Sequence, residues 1–291
     1  GRFFVLPGGW VSTPDYSLTS AAGLSLVSAA RRGTKMAHGS LYTIAAFLTL
    51  IVANALGSAC GVWAGLVVAV LVTAAVGIVI EVVVLRPVYG KEHLIQLLGT
   101  YAVTLIIAGA VRLLFSANYR TTKAPPQFSG SISLAGYQYS VYAFFMIFVA
   151  LVIAVGVYLL MFRTALGRNI RAAVSDPELL NASGVNVKRL FTTVFAIGAG
   201  LAALGGVIVA PSQAVNASMD SDVLVLAFAI SVIGGLGSII GSLVGSLIVG
   251  EVISFGLINP VTNPFALAFV FIIMVVVLFI RPWGLFGQPE T

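Results

Sequence analysis

The chain has 291 residues, 59% of them hydrophobic and only 8% charged, with a mean hydropathy of +1.09 and a formal net charge of +6. A soluble domain carries roughly 25% charged residues, so this composition excludes one and defines an integral membrane protein, an all-α polytopic bundle. The single cysteine, Cys60, excludes an intrachain disulfide and any multi-Cys metal site, and cations gathered in short loops beside apolar runs exclude nucleic acid as their partner.

Residues 1–35 carry no span. Ala21 to Ala30 is apolar for only ten residues and runs into Arg31, Arg32 and Lys35, while Pro7, Gly8, Gly9 and Pro14 interrupt what precedes it. The order of a signal peptide is missing, so an interfacial or weakly structured segment is expected. From there to residue 287 the chain reads as one transmembrane domain, followed by a tail at 288–291. Crossing a hydrocarbon core about 30 Å thick takes about 20 apolar residues. Runs of that kind occur at 41–59, 61–85, 94–116, 138–162, 190–210 and 265–280, with a double-length run at 223–258. The sequence GGLGS at 234–238 divides that last run, because glycine weakens a helix and lets it turn, and the expected total is eight spans.

Eight spans impose a strict alternation of loop sides. With Arg163 to Arg189 in the cytoplasm, Arg31, Arg32, Lys35, Arg86, Lys91 and Arg281 fall on the same side, eleven of the fifteen Lys and Arg. The other side keeps Arg120 and Lys123 in a loop, Arg112 near a span end, and Asp220 and Asp222. This distribution obeys the positive-inside rule and places the carboxyl terminus in the cytoplasm.

The loop RTALGRNIRAAVSDPELLNASGVNVKR, residues 163–189, does not belong in a bilayer. Leu166, Ile170, Ala173 and Val174 recur at helical spacing while Arg168 and Arg171 point away, an amphipathic extension of the preceding span. A new helix then starts in one of two ways: Ser175 with Glu178 has capping-box spacing, and Asp176 before Pro177 suits a cap followed by a first-turn proline. Gly184 stops it after about two turns, Pro177 to Ser183, with Leu179 and Leu180 facing something apolar. Two turns are too few to be stable alone in water, so this helix must dock on the membrane, on its own bundle or on a partner.

Later spans carry two further candidates. Gly237, Gly241 and Gly245 recur every four residues beside Ser238, Ser242 and Ser246, a small face suited to close helix packing within the chain, to a dimer contact, or to the lining of a path. Glu251 lies thirteen positions into the span that starts at 238, where a carboxylate is costly and faces protein or water. It contacts a substrate ammonium group, responds to gating, or makes a hydrogen-bonded helix contact. Glu81, near a span end, pairs with Arg86 at the interface in this reading. No nucleophile stands with a base and no His/Cys cluster exists, so no catalytic, cofactor or metal residue is expected.

The phrase TALGRNIRAAVSDPELLNASGVNVKRL resembles the cytoplasmic loop of the permease subunits of branched-chain amino-acid ABC importers, the LivH/LivM type. MAHGSLYTIAAF at 36–47, GGLGSIIGSLVGSLIVGEV at 234–252, RPWGLFG at 281–287 and EVVVLRP at 81–87 resemble the same family in the same order, and the compact length is closer to the LivH-like subunit. The amino terminus departs from that pattern: the family places a full apolar span before AHG, whereas here Gly23 lies fourteen residues before Ala37, with AARRGTK between. The resemblance implies a second permease, like or unlike, two cytoplasmic ATP-binding subunits and an external binding protein that delivers amino acids or amides. It makes Pro177 to Ser183 a coupling helix seated in a groove of an ATPase. The chain has no GxxxxGK[ST], as a subunit that leaves ATP hydrolysis to its partners would not. A self-sufficient transporter or channel would keep ionisable groups in several spans, and an intramembrane enzyme would need a catalytic pair.

Overall fold

The computed structural model describes residues 37–88, 91–115, 120–121, 125–128, 130–134, 137–235, 238–257 and 261–287. The expectations for residues 1–35 and for Gly237 lie outside the described residues. Each expected apolar segment is helical: α1 (Ala37–Leu56), α2 (Ser58–Ile80), α4 (His93–Phe115), α5 (Val141–Arg163), α8 (Val187–Val209), α9 (Met219–Gly234), α10 (Ile239–Leu257) and α11 (Ala266–Ile280). Between α2 and α4 the chain continues through a π-helical turn, Glu81–Leu85, into a short turn α3 (Arg86–Val88). Two more helices, α6 (Ala165–Ser175) and α7 (Pro177–Ala182), form the basic loop.

Six of these helices are long and apolar enough to cross a membrane. The double-length run splits as expected, but its halves are shorter: α9 has 16 residues, and α10 has an apolar stretch at Ile240–Gly256. Burial separates centre from periphery. The spans of α8 and α1 are 67% and 61% buried, whereas those of α4 and α11 are 17% and 11% buried, so the latter leave apolar faces for lipid or another chain. In the centre α1, α2 and α8 pack together, and small residues let the backbones meet: a side chain at Gly206 of α8 would fall on the Tyr42 carbonyl of α1.

The alternation of sides needs one amendment. It sets Gly39 just past a cytoplasmic loop and Asp220 outside, yet the two lie together, since a Cβ at Gly39 would stand 2.5 Å from the Asp220 carbonyl oxygen. Sixteen residues of α9 rise only about 24 Å, less than the core thickness. Asp220 is buried at 6% exposure, and in the segment before α9 Val215 pairs with Arg120 through two backbone hydrogen bonds of 2.8 and 2.9 Å. Before α5 an antiparallel ribbon of β1 (Ser131–Leu134) and β2 (Tyr137–Ser140) replaces the first three residues expected to be span, and Ser140 caps α5 by accepting from the Tyr142 amide at 3.3 Å.

Candidate coupling site

The basic loop is built by a chain of caps. Thr164 is extended, with φ −106° and ψ 160°, so it ends α5 and starts α6; its hydroxyl oxygen accepts from the Gly167 amide at 3.2 Å. Thus α6 is a separate helix and not an extension of the span. Gly167 makes the reversal possible, because a Cβ there would fall on the carbonyl oxygens of Leu160 and Met161. Leu166 is half-buried, and Ile170 and Ala173 are buried with Met161, Leu190 and Phe191, which spends the apolar face of α6 on the chain's own bundle. Arg168 is exposed as expected. Arg171 is exposed as well, and it also reaches back: its Nη1 donates to the Met161 carbonyl and its guanidinium lies 5.4 Å from the Phe162 ring centroid, neutralising the carboxyl end of α5.

Of the two possible starts for α7, the structure selects Asp176. Its Oδ1 accepts from the Glu178 and Leu179 amides at 3.0 and 2.9 Å, Pro177 occupies the first turn, and the Ser175 hydroxyl donates to the Arg171 carbonyl. The helix ends at Ala182, with Ser183 as its cap and Gly184 at φ 87°. Asn186 then caps α8 by accepting from the Arg189 amide at 3.0 Å. The leucine pair divides its work: Leu180 is half-buried against the cluster of Ile170 and Phe191, while Leu179 is 66% exposed. Only Leu179 is left for an outside surface.

Beside the start of α8 stands a polar cluster around the buried Glu81. Glu81 is 0% exposed while the Arg86 side chain is 36% exposed, so the expected pair forms at the edge of the bundle with its carboxylate turned inward. Its Oε2 accepts from the Thr192 hydroxyl at 2.7 Å and from Arg86 Nη2 at 3.5 Å, and Arg86 Nη2 donates to Thr192 Oγ1 at 2.7 Å. Residues five apart lie about 140° apart around an α-helix. The π-helical turn Glu81–Leu85 widens the helix and brings Arg86 round to the face of Glu81. Thr192 carries no signal that sequence reading could have used.

A second junction lies at the α9–α10 turn. Gly235, at φ 104°, ends α9, and the carboxyl-terminal RPWGLFG hooks onto it: the Leu285 and Phe286 amides donate to the Ile233 and Gly234 carbonyls at 2.9 and 3.0 Å. Gly241 and Gly245 of α10 lie against the backbone of α9, with Gly241 on the Gly234 carbonyl and a Cβ at Gly245 2.7 Å from that of Ile230. Glu251 is half-buried, and its Oε2 has no partner among the described residues. Among the described residues no three His, Cys, Asp or Glu come together as a metal set.

The chain is a polytopic helical bundle with a short capped helix at a basic end. The family described as branched-chain amino acid transport system / permease component matches residues 9–278, and the chain belongs to it. The match starts well before residue 36 and so takes in much of the amino-terminal segment. The chain is 29% identical over 281 residues to the high-affinity branched-chain amino acid transport system permease protein BraD of Pseudomonas aeruginosa, covering 93% of this chain and 91% of BraD. It is 28% identical over 298 residues to the permease protein LivH of the corresponding Escherichia coli K12 system, with the same coverage, and 29% identical over 224 residues to a probable LivH of Methanocaldococcus jannaschii, covering 74% and 69%. No solved structure matches the chain.

Proposed function

We propose that this permease is the membrane subunit of an ATP-driven importer of branched-chain or related amino acids or amides. An external binding protein delivers the substrate, a second permease completes the path, and cytoplasmic ATP-binding subunits dock on α7. The orientation that goes with this reading puts residues 163–189 and the carboxyl terminus in the cytoplasm.

One observation carries the docking: α7 is six residues long, fully capped, anchored inward by Leu180 and presents Leu179 at 66% exposure. A helix this short does not hold its shape alone, and the caps and the anchor spend several interactions on keeping it formed. Burying an exposed leucine is worth about 1.5–3 kcal/mol, enough to make it an anchor for a partner's groove. With α7 seated on an ATPase, closure of the ATPases upon ATP moves α7, and α7 moves α8 through the short connection 183–186. Because α8 is the most buried span among the described residues, its tilt reaches the central packing with α1 and α2.

Co-purification of the ATP-binding subunits from membranes tests the assignment. Leu179→Asp leaves the permease in the membrane and strips the ATPases from it; a complex that survives this substitution overturns the docking role. Leu179 is the informative position, since Leu180→Asp would also damage the bundle.

A further inference from the structure

We propose that Glu81, Arg86 and Thr192 form a latch through which movement of α7 and α8 is passed to α2. The inference rests on the docking of α7 proposed above. Thr192 lies in the second turn of α8, ten residues beyond the end of α7, and α7 and α6 both pack on α8. Glu81 and Arg86 sit on the continuous run from α2 through the π-helical turn to α3. The three side chains are therefore a polar tie between the segment nearest the docking helix and a helix of the central trio.

Three features suit a tie that changes partners rather than a static clamp. The Thr192 hydroxyl has one proton and two acceptors, Glu81 Oε2 at 2.7 Å and the Lys188 carbonyl at 3.0 Å, so it releases one when it serves the other. Glu81 Oε1 and Arg86 Nε are buried without partners among the described residues. These orphaned atoms are the ones a two-pronged guanidinium–carboxylate pair would join, whereas the present contact uses Nη2 alone at 3.5 Å. A second arrangement is thus available, in which Thr192 turns to Lys188 and Arg86 closes fully on Glu81. The π-helical turn supplies the adjustable backbone, since its extra residue can migrate without breaking the helix. Two discrete pairings of one cluster make a bistable element that a moving helix can bias.

Thr192→Val keeps the shape and removes the hydroxyl from both pairings. In vesicles containing the permease, its partner permease and ATPases, with the external binding protein and radiolabelled leucine, the expected result is normal co-purification and ATP hydrolysis, with leucine carried per ATP falling at least about fivefold. Thr192→Ser restores the ratio. A role confined to packing lowers the amount of assembled complex without altering leucine per ATP, and an unaltered ratio in Thr192→Val overturns the latch. Should that variant not reach the membrane, Glu81→Gln gives the second reading: a lowered ratio supports the latch and an unaltered one overturns it. If neither variant reaches the membrane the cluster serves folding, and the proposal is wrong. A wild-type permease that binds no ATPase fails differently, overturning the docking of α7 and the latch with it.

Discussion

Thr192 and Glu81 stand 111 residues apart in the chain and 2.7 Å apart in space, half-buried hydroxyl to fully buried carboxylate, in the corner where α8 leaves the basic loop. A carboxylate fully removed from solvent is costly unless it is paired and hydrogen-bonded, and here both compensations come from polar side chains of two different spans. The corner joins α8, where it leaves the basic loop, to the run that continues α2.

The cap of α7 should control docking without touching the partner. Asp176→Ala removes the acceptor for the Glu178 and Leu179 amides, a loss of about 1 kcal/mol of helix stability. If the ATPase binds only the formed helix, its affinity falls roughly fivefold, and Asp176→Asn restores most of it. Titration of the solubilised permease with purified ATPase measures this; equal affinities for Asp176→Ala and wild type exclude helix formation as a condition of docking.

Gly167 sets how α6 folds back over the end of α5. Gly167→Ala drives a methyl group onto the Leu160 and Met161 carbonyls, and overpacking of this kind costs about 1–3 kcal/mol. The solubilised variant should unfold at a lower temperature than wild type and bind the ATPase more weakly, because α7 follows α6 directly. An unchanged melting temperature would show that the α5–α6 junction yields without cost.

Gly235 combines a left-handed backbone with a closely approaching chain. Gly235→Ala meets both the strain of φ 104° and the backbone of Gly287, so the RPWGLFG hook must lift from the α9–α10 turn. Protease sensitivity of the carboxyl terminus is the readout, and cleavage should rise clearly above that of wild type. A terminus equally resistant in both proteins would mean that the two hydrogen bonds from Leu285 and Phe286 do not hold it.

Glu251 is the remaining candidate for the path. Its Oε2 is buried with no partner among the described residues, the placing of an intramembrane carboxylate that makes a substrate role worth testing. Glu251→Gln keeps the shape and removes the charge; leucine uptake should fall at least about tenfold, which needs a loss of only about 1.4 kcal/mol. Uptake equal to wild type in a fully assembled complex dismisses the substrate role.

Much of the basic loop was legible from residues close in sequence. A cap, a proline and a stop glycine act over one or two turns, so Asp176, Pro177 and Gly184 could be read as the bounds of a short helix, although Ser175 remained an equal starter until its hydroxyl was seen to donate to the Arg171 carbonyl. Periodicity also marked Ile170 and Ala173 as one apolar face, but it could not tell a continued helix from a reversed one. That difference depends on Thr164 and on the absence of a side chain at Gly167.

The amino-acid sequence by itself determined that this is a membrane bundle, where its apolar segments lie and that a capped basic loop stands outside them, because apolar length, charge placement and capping are local properties. Tertiary structure alone decided that Thr192 meets Glu81, that the carboxyl-terminal turn closes on Gly234 and Gly235, that Gly39 lies beside Asp220, and that Leu180 turns inward while Leu179 turns out. Such contacts join residues far apart in the chain or separate neighbours by a fraction of a helical turn, and neither leaves a periodic signal in the sequence.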